Sequence, residues 1–167
     1  DRRLPSVRTL LSSATDVGQK RSINEDSICL IDEHDLGYAD ALLLVADGMG
    51  GHLGGEVASN MSVAIVREAV SNLRRSDRRP STNDWTQWLR DVILECNRQI
   101  YSAGKDPSTA GMGTTLTIGV IEDGTLHLAH VGDSRAYVLT RGELRQLTTD
   151  HTLAQEIRSQ NSIGKSA

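Results

Sequence analysis

The chain has 167 residues, of which 38% are hydrophobic, and this length and composition suit one domain with one core. Its 18 basic and 22 acidic residues give a formal net charge of −4, which argues against a nucleic-acid-binding surface. The sequence contains neither a signal-peptide pattern nor an apolar run of membrane length, so we expect a cytoplasmic protein without a membrane segment.

Two strands are predicted in the first third of the chain. Ser27 to Ile31 is strand-like, and Ala41 to Ala46 is a short apolar run typical of a strand covered on both faces. The second strand is expected to end at Asp47. The glycine-rich segment from Gly48 to His52 should then turn sharply and leave backbone oxygens open to a ligand.

Two amphipathic helices are predicted next. Gly55 to Leu73 carries apolar residues at helical spacing, and a polar loop with Pro80 follows it. Asn83 or Asp84 could cap the second helix. Its apolar positions, two tryptophans included, are expected in the core: Trp85, Trp88, Leu89, Val92, Cys96 and Ile100. Cys29 falls in a strand pattern, so both cysteines are expected to be buried free thiols.

The second half of the chain is rich in predicted strands. They are Thr114 to Ile121, Thr125 to Val131, Arg135 to Thr140, and Leu144 to Leu147. The short turns between them predict antiparallel pairing, with the helices supplying outer layers.

Acidic groups recur at the predicted strand ends. Glu25 and Asp26 precede the first strand, with Arg21 four residues before Glu25, and Asp133 lies in a tight turn. An Asp-Gly turn without function is the plainer interpretation of Asp47 taken alone. However, adjacent carboxylates repel each other unless they are solvated or bridged by a cation. Carboxylates without a His/Cys cluster favour magnesium or manganese over zinc, so together they predict an oxygen-lined metal site that receives an anion.

At these residues the sequence resembles the metal-dependent protein serine/threonine phosphatases (PPM, or type 2C) in their bacterial form. Six segments match in the family's order: Thr15 to Gly18, Arg21 to Asp26, Val45 to His52, Gly113 to Thr115, His130 to Ala136, and Thr149 to His151. The resemblance implies an α+β fold, a four-layer αββα sandwich of two antiparallel sheets flanked by helices. Residues 1–12 would be an N-terminal extension, 13–158 the N-terminal part of the phosphatase domain, and 159–167 a polar tail.

The resemblance also implies the metal ligands. The carboxylate of Asp47 would bridge two divalent cations, Mn²⁺ or Mg²⁺, and the backbone carbonyl of Gly48 would be a further ligand. Glu25 would bind one of these metals, and Asp26 would hold metal-bound water. Asp133 matches an acidic position that helps to hold a weaker third metal in some bacterial relatives.

Three further residues are given roles by the same resemblance. Arg21 would grip the substrate phosphate, because its planar guanidinium suits two phosphate oxygens. His52 could protonate the leaving serine or threonine oxygen, but relatives outside bacteria carry their histidine where this chain has Met49. A structural role for His52 is preferred, and the catalytic one stays open. Arg135 is expected to pair with nearby carboxylates.

The implied activity is hydrolysis of phosphoserine and phosphothreonine in proteins by a metal-activated water, opposing a bacterial serine/threonine kinase. That kinase would be among the phosphoprotein substrates. Two alternatives stay open. The first is a truncated or pseudophosphatase module that binds without turnover, and the second is a phosphatase of anti-sigma-factor antagonists.

The chain departs from the family pattern after Glu156. A complete domain would bring two further metal-binding aspartates, one from an Asp-Gly and one from an Asp-Asn motif, and Ile157 to Ala167 contains neither. We therefore expect a C-terminally incomplete domain that binds at most one divalent cation well.

Overall fold

The structure is a computed structural model that describes residues 9–50, 54–76 and 80–152. Its elements in chain order are β1 (Asp26–Asp32), α1 (Glu33–Leu36), β2 (Ala41–Met49), α2 (Gly54–Arg75), α3 (Thr82–Ala103), β3 (Gly113–Thr114), β4 (Leu116–Glu122), β5 (Thr125–Val131), β6 (Tyr137–Thr140) and β7 (Glu143–Gln146). Within these ranges, no helix has both the length and the apolarity that crossing a membrane requires.

The strands form two antiparallel sheets. The larger sheet has the order β1-β2-β4-β5, with β3 pairing with the far end of β2, and the smaller sheet is the hairpin β6-β7. The register of the first pair places Asp26 directly opposite Asp47. The predicted α+β class, with two antiparallel sheets and packed helices, is therefore confirmed.

Both long helices pack on the larger sheet. α2 contacts β1 and β2, while α3 contacts α2, β4 and β5. Alternate residues of the strands point into this core, as the two-residue period of a strand requires, and they include Leu42, Leu44, Ile118 and Val120. The predicted core positions of α3 are buried or half-buried, with Trp85 fully inside, and Cys29 and Cys96 are buried free thiols as expected.

β2 is longer than predicted. It continues past Ala46 through Gly48 and Met49, because these two residues pair with Thr114 and Gly113 of β3. The turn expected from the glycine-rich segment therefore does not begin at Gly48. The backbone leaves the strand conformation at Gly50, where φ is 132°, and Gly51 and His52 lie outside the described residues. The carboxylate of Asp47 accordingly projects from a paired strand and not from a loop.

The helix α3 begins earlier than predicted. Ser81 precedes its first residue, and the Ser81 N–H donates to the Asp84 carboxylate over 2.7 Å. This reciprocal arrangement is a capping box, in which a Ser and an acidic residue three positions later satisfy free backbone groups. Asp84 is thus the partner of the cap, and the prediction that Asn83 or Asp84 is itself the cap is wrong.

The sheet face opposite the helices carries an apolar groove of about 450 Å³. Its floor comes from alternate residues of the larger sheet, and its rim comes from the start of the smaller sheet: Leu43, Val45, Thr117, Gly119, Leu126, Leu128, Ser134, Arg135, Ala136, Tyr137 and Leu147. Val45 is 43% exposed there, whereas its neighbour Leu44 is 1% exposed on the helix side. The two faces of β2 therefore contribute very differently to the stability of this chain.

We predict that Leu44→Ala destabilises this 167-residue chain by about 2–5 kcal/mol, because it leaves a cavity in a closely packed core. The control Val45→Ala, one residue along the same strand, should change the free energy of unfolding by about 1 kcal/mol or less, since its side chain is 43% exposed on the open face. Urea unfolding followed by circular dichroism measures both. Equal losses would show that the open face is packed in solution.

Candidate active site

Three aspartates converge at one end of the larger sheet. Asp26 and Asp47 are cross-strand partners, and Asp133 lies in the loop after β5. Desolvation raises the pKa of Asp47, and the charges of Asp26 and then Asp133 raise it further, while the Arg21 guanidinium lowers it in part. The structure thus brings together four of the side chains that were predicted from separate segments.

Glu25 lies next to this cluster and is held by Arg21. The Arg21 Nη1 atom is 2.6 Å from Glu25 Oε2, and Glu25 is largely buried whereas Arg21 is exposed. The approach to β1 is fixed by Asn24, whose side chain accepts the Asp26 N–H over 3.0 Å and donates to Thr15 over 2.8 Å. The predicted phosphate-binding arginine and the predicted metal ligand are therefore ion-paired in this structure.

Gly48 and Gly55 allow three backbone segments to meet. A Cβ atom at Gly48 would collide with the backbone oxygen of Gly55 and would lie 2.6 Å from that of Glu25. A Cβ atom at Gly55 would collide with the carboxylate of Glu25. Glycine is thus required at both positions for close approach. The result places the Glu25 carboxylate against the first turn of α2, where a negative charge is favourable.

The Asp133 loop is clamped by the segment that follows β7. The His151 N–H donates to the Gly132 carbonyl over 2.7 Å. Arg135 binds Asp150 through two nitrogens, at 2.9 Å from Nε and 2.6 Å from Nη2, as was expected of a structural arginine. This pairing lowers the pKa of Asp150. The carboxylate of Asp133 therefore rests on a loop that is tied at both ends.

Thr114 and Thr115 are functional-site residues whose roles the sequence did not reveal. The Thr115 N–H donates to the Asp47 carbonyl over 2.9 Å, and the Asp47 N–H donates to Thr115 Oγ1 over 3.0 Å. The Thr114 hydroxyl lies 3.0 Å from the same Asp47 carbonyl. The predicted strand from Thr114 to Ile121 is interrupted at Thr115 for this reason. Thr114 and Thr115 look like ordinary strand residues in the sequence. Their role becomes visible only once the structure shows that they hydrogen-bond to the Asp47 backbone.

The histidines fall into three cases. His52 lies outside the described residues, so its predicted role stays a prediction. The ring of His130 packs 5.1 Å from that of His151 and bonds to Thr117 through Nδ1 over 2.8 Å, which agrees with a packing role. His127 carried no signal in the sequence. Its Nε2 atom is buried 3.6 Å from Glu122, away from the carboxylate cluster on the sheet.

The donor set fits a hard divalent cation by its chemistry. Asp26, Asp47 and Asp133 supply carboxylate oxygens, which are ligands of hard cations. Desolvation and then the negative charges of Asp26 and Asp133 raise the pKa of Asp47. Within the described ranges, no three His, Cys, Asp or Glu side chains stand close enough to form a ready metal cage. In this structure the Glu25 carboxylate is engaged by Arg21, so a ligand role requires that ion pair to open.

Comparison with known proteins gives one consistent result. The family model described as Protein phosphatase 2C matches residues 19–161. The serine/threonine phosphatase stp of Listeria welshimeri is 38% identical over 152 residues, which are 90% of this chain and 58% of that protein. The protein phosphatase PhpP of Streptococcus pneumoniae is 36% identical over 148 residues, which are 88% of this chain and 57% of that one.

Solved structures agree with the sequence relatives. The Mycobacterium tuberculosis serine/threonine phosphatase PstP/Ppp matches with a TM-score of 0.68 and 38% identity, covering 86% of this chain and 55% of that one. The Streptococcus agalactiae serine/threonine phosphatase matches with a TM-score of 0.75 and 34% identity, covering 91% and 60%. A structure of the catalytic domain of PstP in complex with two manganese ions matches with a TM-score of 0.66, 37% identity, and coverage of 86% and 56%. This chain thus spans less than two thirds of the length of these relatives.

We predict that Gly48→Ala destabilises the protein by about 1–3 kcal/mol or more, because the new methyl group can only be accommodated by moving backbone. The matched control is Gly113→Ala, in the paired strand β3, where the nearest atom to a new Cβ would be Met49 Cγ at an ordinary 3.5 Å. Thermal unfolding measures both variants. A Gly48→Ala protein as stable as the Gly113→Ala protein would contradict the close approach.

Proposed function

This chain belongs to the protein phosphatase 2C family, and we propose that the protein hydrolyses phosphoserine and phosphothreonine in other proteins with the help of Mn²⁺ or Mg²⁺. The observation that carries the proposal is the cross-strand pair of Asp26 and Asp47, next to Glu25 with its partner Arg21. Carboxylates that can hold hard cations, next to a guanidinium that can hold a phosphate, suit phosphate-ester hydrolysis.

We propose that the full-length protein binds two cations, with a third held more weakly, and that the oxygens of this chain supply part of their ligands. Asp47 and the Gly48 carbonyl would be ligands, with Glu25 serving one cation and Asp133 the third, while Asp26 would orient water. A bound divalent cation neutralises negative charge and lowers the pKa of its water, so that a nucleophile is available at neutral pH. The PstP neighbour, whose structure contains two manganese ions, supports this choice of metal.

Arg21 would bind the phosphate group of the substrate. In this structure its guanidinium is 2.6 Å from Glu25 and largely exposed. When the Glu25 carboxylate serves as a ligand, the guanidinium loses its partner and can turn to an incoming phosphate. Because the Arg21 side chain is exposed, it has room to turn away from Glu25 toward solvent.

Hydrolysis is better supported than a binding module without turnover, since these relatives are named as a serine/threonine phosphatase and a protein phosphatase. No specific observation favours anti-sigma-factor antagonists as substrates. We propose that the substrates include a bacterial serine/threonine kinase, that the protein acts in the cytoplasm, and that residues 13–158 belong to the phosphatase domain. His52 remains a candidate proton donor to the leaving oxygen.

We predict that Asp47→Asn in the full-length protein abolishes manganese-dependent hydrolysis of a phosphothreonine peptide. The substitution removes the charge that would be shared between cations, while the hydrogen bonds of Thr115 to the Asp47 backbone should keep the strand in place. The control Asp91→Asn removes one charge from the exposed face of α3 and should leave turnover unchanged. Near-normal turnover of the Asp47→Asn protein at saturating manganese would show that this carboxylate is not a ligand.

We predict that Arg21→Ala mainly raises the KM for the phosphopeptide, with little change in the manganese requirement, because phosphate binding is largely formed in the ground state. The control Arg98→Ala removes another exposed arginine paired with a glutamate, Glu95, but on α3. Steady-state kinetics at several manganese concentrations separate the two effects. An unchanged KM together with weakened manganese binding would assign Arg21 to the metal site instead.

A further inference from the structure

The hydroxyl of Thr115 connects the two backbone segments that carry Asp47 and Asp133. Its oxygen accepts the Asp47 N–H over 3.0 Å and lies 2.8 Å from the Ser134 hydroxyl, which is adjacent to Asp133 in the chain. A hydroxyl has one proton and two lone pairs, so Thr115 can satisfy both contacts at once. The side chain is only 2% exposed, so water does not compete for it.

This contact replaces a bond of the sheet. The register on either side places Asp47 opposite Thr115, and a hydrogen-bonded antiparallel pair normally exchanges two backbone bonds. Here the Thr115 N–H still donates to the Asp47 carbonyl, but the Asp47 N–H goes to the Thr115 side chain. The Thr115 carbonyl lies 2.9 Å from the Thr114 hydroxyl. The pair of Asp47 and Thr115 thus keeps one of its two backbone hydrogen bonds, and a side-chain bond replaces the other.

The other end of the connection is equally constrained. Gly132 has a φ of 112°, and a Cβ atom there would lie 2.5 Å from Thr115 Cγ2 and 2.6 Å from Thr115 Cβ. Gly132 of the Asp133 loop therefore packs closely against the methyl group of Thr115, while Ser134 bonds to the Thr115 hydroxyl. A change in this one side chain reaches both carboxylate-bearing segments.

We propose that Thr115 is a positioning residue, whose hydroxyl sets the spacing between Asp47 and Asp133 and so the affinity of the site for divalent cations. The inference rests on the proposed function. Thr115 itself binds neither metal nor substrate; it acts through the Asp47 peptide and through Ser134. Removing groups that orient metal ligands commonly costs about tenfold to a hundredfold in metal affinity or activity.

The test compares two isosteric substitutions in the full-length protein. Thr115→Val removes the connecting hydroxyl and keeps the shape. The control Thr117→Val makes the same change two residues along, where the hydroxyl bonds to His130 and touches neither aspartate. Titration calorimetry with Mn²⁺ alone gives metal affinity, phosphopeptide kinetics give KM and kcat, and thermal unfolding with chelator gives metal-free stability.

We expect Thr115→Val to weaken manganese binding by about tenfold or more, with KM for the phosphopeptide little changed. Thr117→Val should keep the wild-type manganese affinity even if it loses similar metal-free stability. Thr115→Ser retains the hydroxyl and should restore most of the affinity. Ser134→Ala, which removes the connection from the loop side, should weaken binding in the same direction and serves if Thr115→Val does not fold.

The outcomes separate this inference from the function on which it rests. Wild-type protein with manganese-dependent turnover, together with unchanged manganese affinity in Thr115→Val or, where that variant does not fold, in Ser134→Ala, would overturn the positioning role alone. Equal losses of affinity in Thr115→Val and Thr117→Val would also overturn it, since they would reflect general destabilisation. Wild-type protein that neither binds manganese nor hydrolyses the peptide would overturn both.

Discussion

The pairing of Asp26 with Asp47 across β1 and β2 is the constraint on which the rest of the site depends. Two carboxylates in opposite positions of neighbouring strands repel each other, and like charges placed this way destabilise a sheet. Desolvation first, and then the charges of Asp26 and Asp133, raise the pKa of Asp47. Repulsion between carboxylates therefore destabilises this end of the sheet, and a bound cation would reduce that repulsion.

The fold tolerates this repulsion because other contacts hold the backbone around the carboxylates in place. Thr114 and Thr115 bind the main chain of Asp47, and close contact between Gly48 and Gly55 brings the start of α2 against Glu25. None of these interactions uses the carboxylates themselves. The oxygens of the cluster consequently remain exposed, with Arg21 occupying only Glu25. Such backbone support is what allows strained or repulsive groups to persist at functional sites.

The two faces of the larger sheet have different roles. The helix-covered face supplies the core that makes β1, β2, β4 and β5 rigid, and the opposite face carries an apolar groove next to the Asp133 loop. The clamp of Arg135 on Asp150 fixes that loop beside the groove. The position of Asp133 thus depends on the segment after β7, whereas Asp26 and Asp47 are placed by the pairing of β1 with β2 and by the hydrogen bonds of Thr114 and Thr115 to the Asp47 backbone.

The sequence by itself determined the elements and the chemistry of the site. A short apolar run located β2, a strand-like pattern located β1, and apolar residues at helical spacing located both long helices. The residue types at the strand ends indicated hard cations and an anion, because these signals are local. Only the tertiary structure decided that β2 continues through Gly48, that Arg21 engages Glu25, and that Thr115 joins the segments of Asp47 and Asp133. Each of these contacts depends on which strand lies alongside, and a hydrogen-bonding threonine has the same sequence signal as any other strand residue.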